Sequence, residues 1–522
     1  MRGKCLCPNL SDKNSLLPVF LRSLRFLLFI FAFLPFLRSL RFLLSVFPVF
    51  LSLNATAAPK PIMAYYMPWY VSKPFSGAWG FHWTMNHFNP DTFTTNGQRN
   101  IASWYYPQVD PYDSDDPALL EYHVLLLKLG GVDGVIADWY GMDNTADYGI
   151  NDQRTLDLFN WTRKAGLKFA LCYEDQTIAH EIAIGFLSSS NLAVAHAQQT
   201  MLYAETNFFN DPSYLRWGVQ PVLLNFGLEY FGATSNWNSI FSPLTNTPAF
   251  FTEDNRLSPA KGAFDWPPMW MSQTNTGANA GILTPAQLDS YLTHFEQTAH
   301  NLSWPAFISS AFPRYHDIYA QAGVQPSNGY FDDATGATFQ NTLRRALTNS
   351  SAIAQLVTWN DYCEGTIIEP TVQYGFRDLG VVQNFRRQYM TASYPGVTND
   401  LSIATRVYNA RKAHTGDPVL NAELDRVFTN AVNGALTNAT LQLTGIESHA
   451  PVIYNLSAAA GQLQFSIGGC LTANGVEVDS TTDPALATWQ PVATLTPGTN
   501  APVFTTQIAP AIGPAFFRAR LR

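Results

Sequence analysis

Ile353-Ala354-Gln355-Leu356-Val357-Thr358-Trp359-Asn360-Asp361, followed at once by Tyr362-Cys363-Glu364-Gly365, is an apolar run that ends in two acids three residues apart. Such a run, bounded by polar turn residues and rich in aliphatic side chains, reads as a buried strand. Working outward from it, the same unit recurs upstream. Strands are expected at 61–67, 134–140, 168–174, 220–228, 249–252, 263–266, 306–312 and 353–361. Helical patterns are expected at 117–129, 153–165, 192–208, 285–300 and 338–348. Asp116 and Pro117 are a cap and a first-turn proline for the first of these helices. Eight strands interleaved with helices predict a parallel α/β architecture, and the count of eight predicts a closed (β/α)8 TIM barrel. Strands five and six are the least clearly marked.

After two more helices, at 402–414 and 421–433, the texture changes. Residues 441–522 lack lysine and show short alternating runs such as Gln462-Leu463-Gln464-Phe465-Ser466-Ile467, punctuated by Asn474-Gly475 and Pro497-Gly498. This predicts a small C-terminal β-sandwich after a catalytic barrel spanning 59–440. Trp489 is the only tryptophan of that segment, so bracing or attachment is expected of it rather than a sugar platform.

Residues 1–58 are read separately. Phe-Leu-Arg-Ser-Leu-Arg-Phe-Leu-Leu at 20–28 recurs at 36–44, and the arginines break the apolar runs below the length of about 20 residues that a membrane span needs. From Arg38 onward a basic flank, an apolar stretch and Ala55-Thr56-Ala57 follow in the order of a secretory signal. A secreted, periplasmic or cell-surface protein without stable membrane insertion is therefore expected. Without this segment the chain holds 24 basic against 38 acidic residues, a net −14. With 13% charged and 14% aromatic residues, against a typical charged fraction of about 25%, the surface suits a neutral, hydrated ligand. Nucleic acid is excluded as a partner, because no basic face is available to neutralise phosphates. Cys172, Cys363 and Cys470 are odd in number and widely spaced, so neither a disulfide scaffold, a metal site nor a cofactor is expected. A monomer is expected.

Active sites of TIM barrels lie at the C-terminal strand ends, and those ends are informative here. They deliver Tyr65-Tyr66-Met67-Pro68-Trp69-Tyr70, Asp138-Trp139-Tyr140, Tyr173-Glu174-Asp175 and Trp359-Asn360-Asp361. Aromatic faces stack on sugar C–H surfaces, and a carboxylate pair supplies the acid and base of glycosidic cleavage. Asp361 and Glu364 are the candidate pair. The alternative is that Asp361 caps a turn and Glu364 is solvated, since D-x-x-E is also a helix-start pattern. Candidate substrate-binding residues are Tyr66, Trp69, Tyr70, His82, Trp83, Asp138, Trp139, Tyr140, Glu174, Trp359 and Asn360. Arg314, Tyr315 and His316, after the seventh strand, are placed at the rim. Trp266 and Trp270 are expected to be core aromatics, and Asp332 and Asp333 helix caps.

The segment Trp359-Asn360-Asp361-Tyr362-Cys363-Glu364-Gly365-Thr366-Ile367-Ile368-Glu369 resembles the W/F-N-E-W-H-E-G-T-x-I-E motif of glycoside hydrolase family 99, the endo-α-mannosidases and endo-α-mannanases. Tyr65-Tyr66-Met67-Pro68-Trp69-Tyr70 is similar to the family's Y-Y-x-x-W-Y. His82-Trp83, Tyr105-Tyr106-Pro107, Ser114-Asp115-Asp116-Pro117, Glu121, His123, Trp139-Tyr140 and Glu174 follow its further blocks in collinear order. The resemblance implies an endo-acting, retaining hydrolase of α-mannan-type polysaccharide or oligosaccharide. In that scheme Glu364 is the general acid and Asp361 the base on the substrate's own 2-hydroxyl, giving a 1,2-anhydro sugar that water opens. Glu174 holds a substrate hydroxyl, and Trp139 and Tyr66 line the reacting subsite. Two positions depart from the pattern: Asp361 stands for the family's Glu, and Cys172 for its His. Trp-Asn-Asp-Tyr-x-Glu is nearer to family 71, the α-1,3-glucanases, so an α-1,3-glucanase-like or other α-glycan hydrolase is the first alternative. A non-catalytic carbohydrate-binding barrel is the second.

Overall fold

The computed structural model describes residues 60–469, 475–485, 488–496, 502–507 and 515–522; the expected export segment lies outside them. Eight parallel strands form the centre: β1 (Ile62–Tyr66), β2 (Gly134–Trp139), β3 (Lys168–Glu174), β4 (Gln220–Phe226), β5 (Ala249–Glu253), β6 (Gly262–Phe264), β7 (Ile308–Ala311) and β8 (Ile353–Leu356). Each pairs with its neighbours in chain order, β3 pairs with β4, and β8 pairs with β1 through Ile62↔Ala354, so the sheet closes. The fold is a TIM barrel. Buried aliphatic and aromatic side chains from every strand make one continuous core with the surrounding helices.

The helices that position the site are α1 (Pro117–Gly130), α2 (Tyr148–Lys164), α3 (Ala193–Ala204), α4 (Thr234–Phe241), α5 (Pro285–Asn301), α6 (Ala337–Thr348) and α7 (Arg377–Tyr389). Asp116 caps α1 as expected, accepting from the Ala118 amide at 2.9 Å. β5 and β6 are joined through 254–261 without a helix, which explains their weak signature: the alternation that marks a βα unit is missing there. Gly262 is required at this crossing, because a Cβ would lie 1.7 Å from the Ala306 carbonyl oxygen.

Helices α8 (Ser402–Ala413), α9 (Pro418–Val432) and α10 (Leu436–Ser448) follow. α10 runs across the boundary expected at 440, and β structure begins only at Pro451. Two three-stranded antiparallel sheets then form. One contains β9 (Pro451–Ala459), β10 (Gln462–Gly469) and β13 (Val503–Gln507); the other contains β11 (Val476–Thr481), β12 (Gln490–Leu495) and β14 (Phe516–Leu521). Phe465, Ile467, Val476, Val478 and Phe504 form their shared small core.

Candidate active site

Side chains of successive strand residues point to opposite faces, and this decides which aromatics reach the barrel mouth. On β1, Tyr65 points inward: its hydroxyl donates to Asp138 Oδ1 at 2.8 Å, and its ring meets Trp266 edge-on at 4.8 Å. Tyr66 points outward, against α1, with its hydroxyl 2.8 Å from His123 Nδ1. On β2, Asp138 points inward, and Trp139 outward, where its indole N–H donates to Asp152 of α2 at 2.8 Å. Trp359 is likewise outside the mouth, edge-on to His123 at 5.5 Å. The expectation that Tyr66, Trp139 and Trp359 line the site is corrected accordingly: the alternation of the strands gives them to the barrel–helix layer.

Tyr70, Trp83 and Asn360 are also corrected, since all three are fully buried and serve as braces. Asn360 joins the end of β8 to the chain after β1. Its Oδ1 accepts from the Met67 amide at 2.8 Å, and its Nδ2 donates to the Met67 carbonyl at 3.0 Å. The Tyr70 hydroxyl donates to the Asn360 carbonyl at 2.8 Å and accepts from the Tyr362 amide at 3.0 Å. Trp83 packs on Tyr70 and donates its indole N–H to the Tyr112 carbonyl at 2.8 Å. Behind these, Tyr112 donates to Glu369 Oε2 at 2.7 Å, and His123 Nε2 lies 3.2 Å from Glu369 Oε1. These bonds fix the turn that carries the two acids.

That turn holds Asp361 and Glu364 in different environments. Asp361 is buried, and its Oδ1 accepts from the Glu364 amide at 3.1 Å, so the turn-capping reading is correct for this acid. Glu364 is not a freely solvated acid: its Oε1 accepts from the hydroxyls of Tyr315 at 3.1 Å and Tyr319 at 3.3 Å. Burial pushes the Asp361 carboxyl up to about 7, assisted by the charge of Asp138 and opposed by the amides of Glu364 and Cys363. Burial, then the Asp361 charge, pushes Glu364 up to about 8, against the two tyrosine hydroxyls. A carboxylic acid that keeps its proton near neutrality is what proton donation to a leaving group requires.

Two more acids join from neighbouring strands. Asp138 is hydrogen-bonded by Tyr65, Tyr140 and Glu174, and burial raises it to about 6. Glu174, which accepts from Gln176 Nε2 at 2.7 Å, is raised well above its ordinary range by burial and by the Asp138 charge. The two acids therefore hold each other's titration away from the ordinary carboxylate range. Trp69 and His82 stack face to face at 4.1 Å and are partly exposed, Tyr140 stands 6.4 Å from Trp69, and His82 Nε2 is 3.6 Å from Asp147. Of the expected set, the structure thus gathers Trp69, His82, Asp138, Tyr140, Glu174, Asp361 and Glu364.

Tyr65 and Tyr319 join the site beyond the residues expected from the sequence. Tyr65 was detectable from phase, since β1 must turn either Tyr65 or Tyr66 inward. Tyr319 lies in a short helix, Tyr319–Ala322, and has no sequence signal. Of the rim residues, Tyr315 holds Glu364, whereas Arg314 is buried, donating to the Ile367 carbonyl at 2.6 Å and pairing with Asp378. A cavity of about 630 Å³ between α5 and α6, lined by Leu288, Leu292, Phe331 and Thr342, contains none of these acids.

No family model matches the chain. The glycoprotein endo-alpha-1,2-mannosidase of Mus musculus is 22% identical over 342 residues, covering 59% of this chain and 67% of that protein. The Rattus norvegicus protein of the same name is 20% identical over 344 residues, covering 60% and 68%. Among solved structures, the GH99 endo-alpha-mannosidase from Bacteroides thetaiotaomicron covers 66% of this chain and 98% of its own, at 18% identity and a TM-score of 0.44. The collinear motifs and the curated relatives agree: the chain is glycoside hydrolase family 99-like in sequence.

Proposed function

We propose that the chain is an exported, endo-acting, retaining glycoside hydrolase of α-linked polysaccharide of the α-mannan type. The observation that carries this reading is the asymmetry of the two acids after β8: one capped by backbone amides, the other held by two phenols, both raised toward neutrality. The relatives named above are endo-alpha-1,2-mannosidases, which supports an α-mannoside as substrate.

In this mechanism Glu364 gives its proton to the leaving glycosidic oxygen. Asp361 removes the proton of the substrate's 2-hydroxyl, and that oxygen attacks the anomeric carbon as the glycosidic bond breaks. Water then opens the 1,2-anhydro ring, giving its proton to Glu364, while Asp361 returns the proton to the 2-oxygen. Two displacements leave the anomeric configuration unchanged. Glu174 and Asp138 bind sugar hydroxyls, and the Trp69–His82 stack offers an apolar face to the ring. Asp361 is one methylene shorter than the Glu of the family motif, so its capping bond and the Asn360 brace must set its reach.

The roles separate by leaving group. Glu364→Gln loses about 10²–10⁴-fold in kcat on polysaccharide, the range of general acid catalysis, and retains turnover of an aryl glycoside whose leaving group needs no proton. Asp361→Asn loses both. Folded variants that keep full turnover on polysaccharide sink the proposal. Release of a reducing end from α-1,3-glucan but not from α-mannan would favour the glucanase alternative.

A further inference from the structure

Apart from the acids of the candidate site, three ligand-type side chains converge from three elements. Asp143 lies in the turn after β2, Glu181 on the helix Gln176–Ala183 after β3, and His196 in α3. His196 Nε2 stands 2.9 Å from Asp143 Oδ2 and 3.2 Å from Glu181 Oε2, and the three ligand atoms all lie within 4.8 Å of one another. A protonated imidazole pairs with both acids, but unequally. Nε2 carries a single hydrogen, and the bond it makes is to Asp143. Glu181 is buried, and its Oε2, closed off from solvent, has only the longer 3.2 Å ion-pair contact with His196 Nε2. A buried carboxylate oxygen left this way is costly, and one cation between the three atoms satisfies all of them.

We propose that Asp143, Glu181 and His196 form a binding site for a divalent transition-metal ion of the zinc class, with water completing its shell. Zinc binds imidazole nitrogen and carboxylate oxygen at about 2.0–2.2 Å, which sets neighbouring tetrahedral ligands roughly 3.3 Å apart. The contacts at 2.9 and 3.2 Å need open by only a few tenths of an ångström. Calcium takes oxygen ligands, so the imidazole disfavours it. Asp143 and His196 are each partly exposed, so an ion can enter. No local spacing announces the site, because Asp143 comes from the connection after β2 while Glu181 and His196 lie on two separate helices of the connection after β3.

The consequence lies at the barrel mouth. The turn that carries Asp143 also carries Asp147, the partner of His82, which stacks on Trp69. An ion here ties that turn to the two helices after β3 and stiffens the support of the His82–Trp69 stack. The site stands independently of the glycosidase reading, because its test reads metal and stability rather than turnover.

The full chain is stripped with a chelator, loaded with zinc chloride and desalted. Metal content is measured by inductively coupled plasma mass spectrometry, and Tm with and without zinc. One zinc per chain and a zinc-dependent rise in Tm are expected. Glu181→Gln keeps the shape and removes the charge. It weakens zinc binding by about tenfold or more, since a lost outer-shell partner alone costs about 10–100-fold. His196→Ala abolishes the Tm rise. Zinc retention equal in the wild-type and Glu181→Gln chains, or a Tm rise that survives both substitutions, overturns the proposal. Should His196→Ala fail to fold, Glu181→Gln alone decides.

Discussion

The two acids after β8 carry the pH behaviour expected of the enzyme. Asp361 must be ionised to act as base and Glu364 protonated to act as acid. With Asp361 raised to about 7 and Glu364 to about 8, kcat/KM on a neutral α-mannan should be bell-shaped, falling below about 7 and above about 8. The phenol of Tyr319 stabilises the ionised form of Glu364. Tyr319→Phe therefore moves the basic limb of that profile upward, with KM little changed; an unmoved limb would show that the contact is inert. Asp265 gives a stability counterpart. It is fully buried, and burial raises it to about 7 despite hydrogen bonds from Ser310. Its ordinary unfolded value is about 3.9, so between these values the folded state holds the extra proton. Stability supplied by the neutral acid is present at pH 4 and lost as pH rises through 7. Asp265→Asn removes that loss. The Tm of the variant relative to wild type should climb across this window, and a pH-independent difference would contradict the assignment.

At the scale of elements, the strand ends were legible because barrels concentrate chemistry at one rim, so Asp138, Glu174, Asp361 and Glu364 could be named from position and type. Which aromatic of each pair faces the mouth was not legible from composition. Tyr66, Trp139 and Trp359 lie one residue from an inward position, and a single step along a strand reverses the face. For Tyr70, Trp83 and Asn360 the sequence does not separate ligand contact from bracing, because polar and aromatic groups near such a turn look alike whether they touch sugar or brace backbone. Their hydrogen bonds to Met67, Tyr112 and Tyr362 show the second role. The β5–β6 connection was weakly marked for want of a helix, and it yields a sharp test. Gly262→Ala drives a Cβ into the Ala306 carbonyl, and overpacking of this kind costs about 1–3 kcal/mol or more. Chemical denaturation should show that loss, and a neutral substitution would contradict the close approach.

At the scale of the whole molecule, the C-terminal sheets pack on the last helices. Glu423 of α9 accepts from the Gly469 amide at 3.2 Å, and a Cβ at Gly469 would lie 3.0 Å from the Cα of Gly445 in α10. α9 in turn anchors the barrel side: Arg411 of α8 pairs with both Glu121 of α1 and Asp425 of α9. Chain ending at Ser448 should therefore lose thermal stability with its specificity for the glycan linkage unchanged; an altered linkage preference would assign the sheets a binding role. The boundary of this region was misplaced in sequence because the polar, Thr-rich α10 imitates a β segment. The central claim, that the pair after β8 cleaves an α-linked glycan with retention, is tested most directly by proton NMR of the first anomer released from α-mannan. The account predicts the α-anomer first, followed by mutarotation, and release slowed by about 10²–10⁴-fold in Glu364→Gln. The β-anomer first, or no reducing end from wild-type protein, would contradict it.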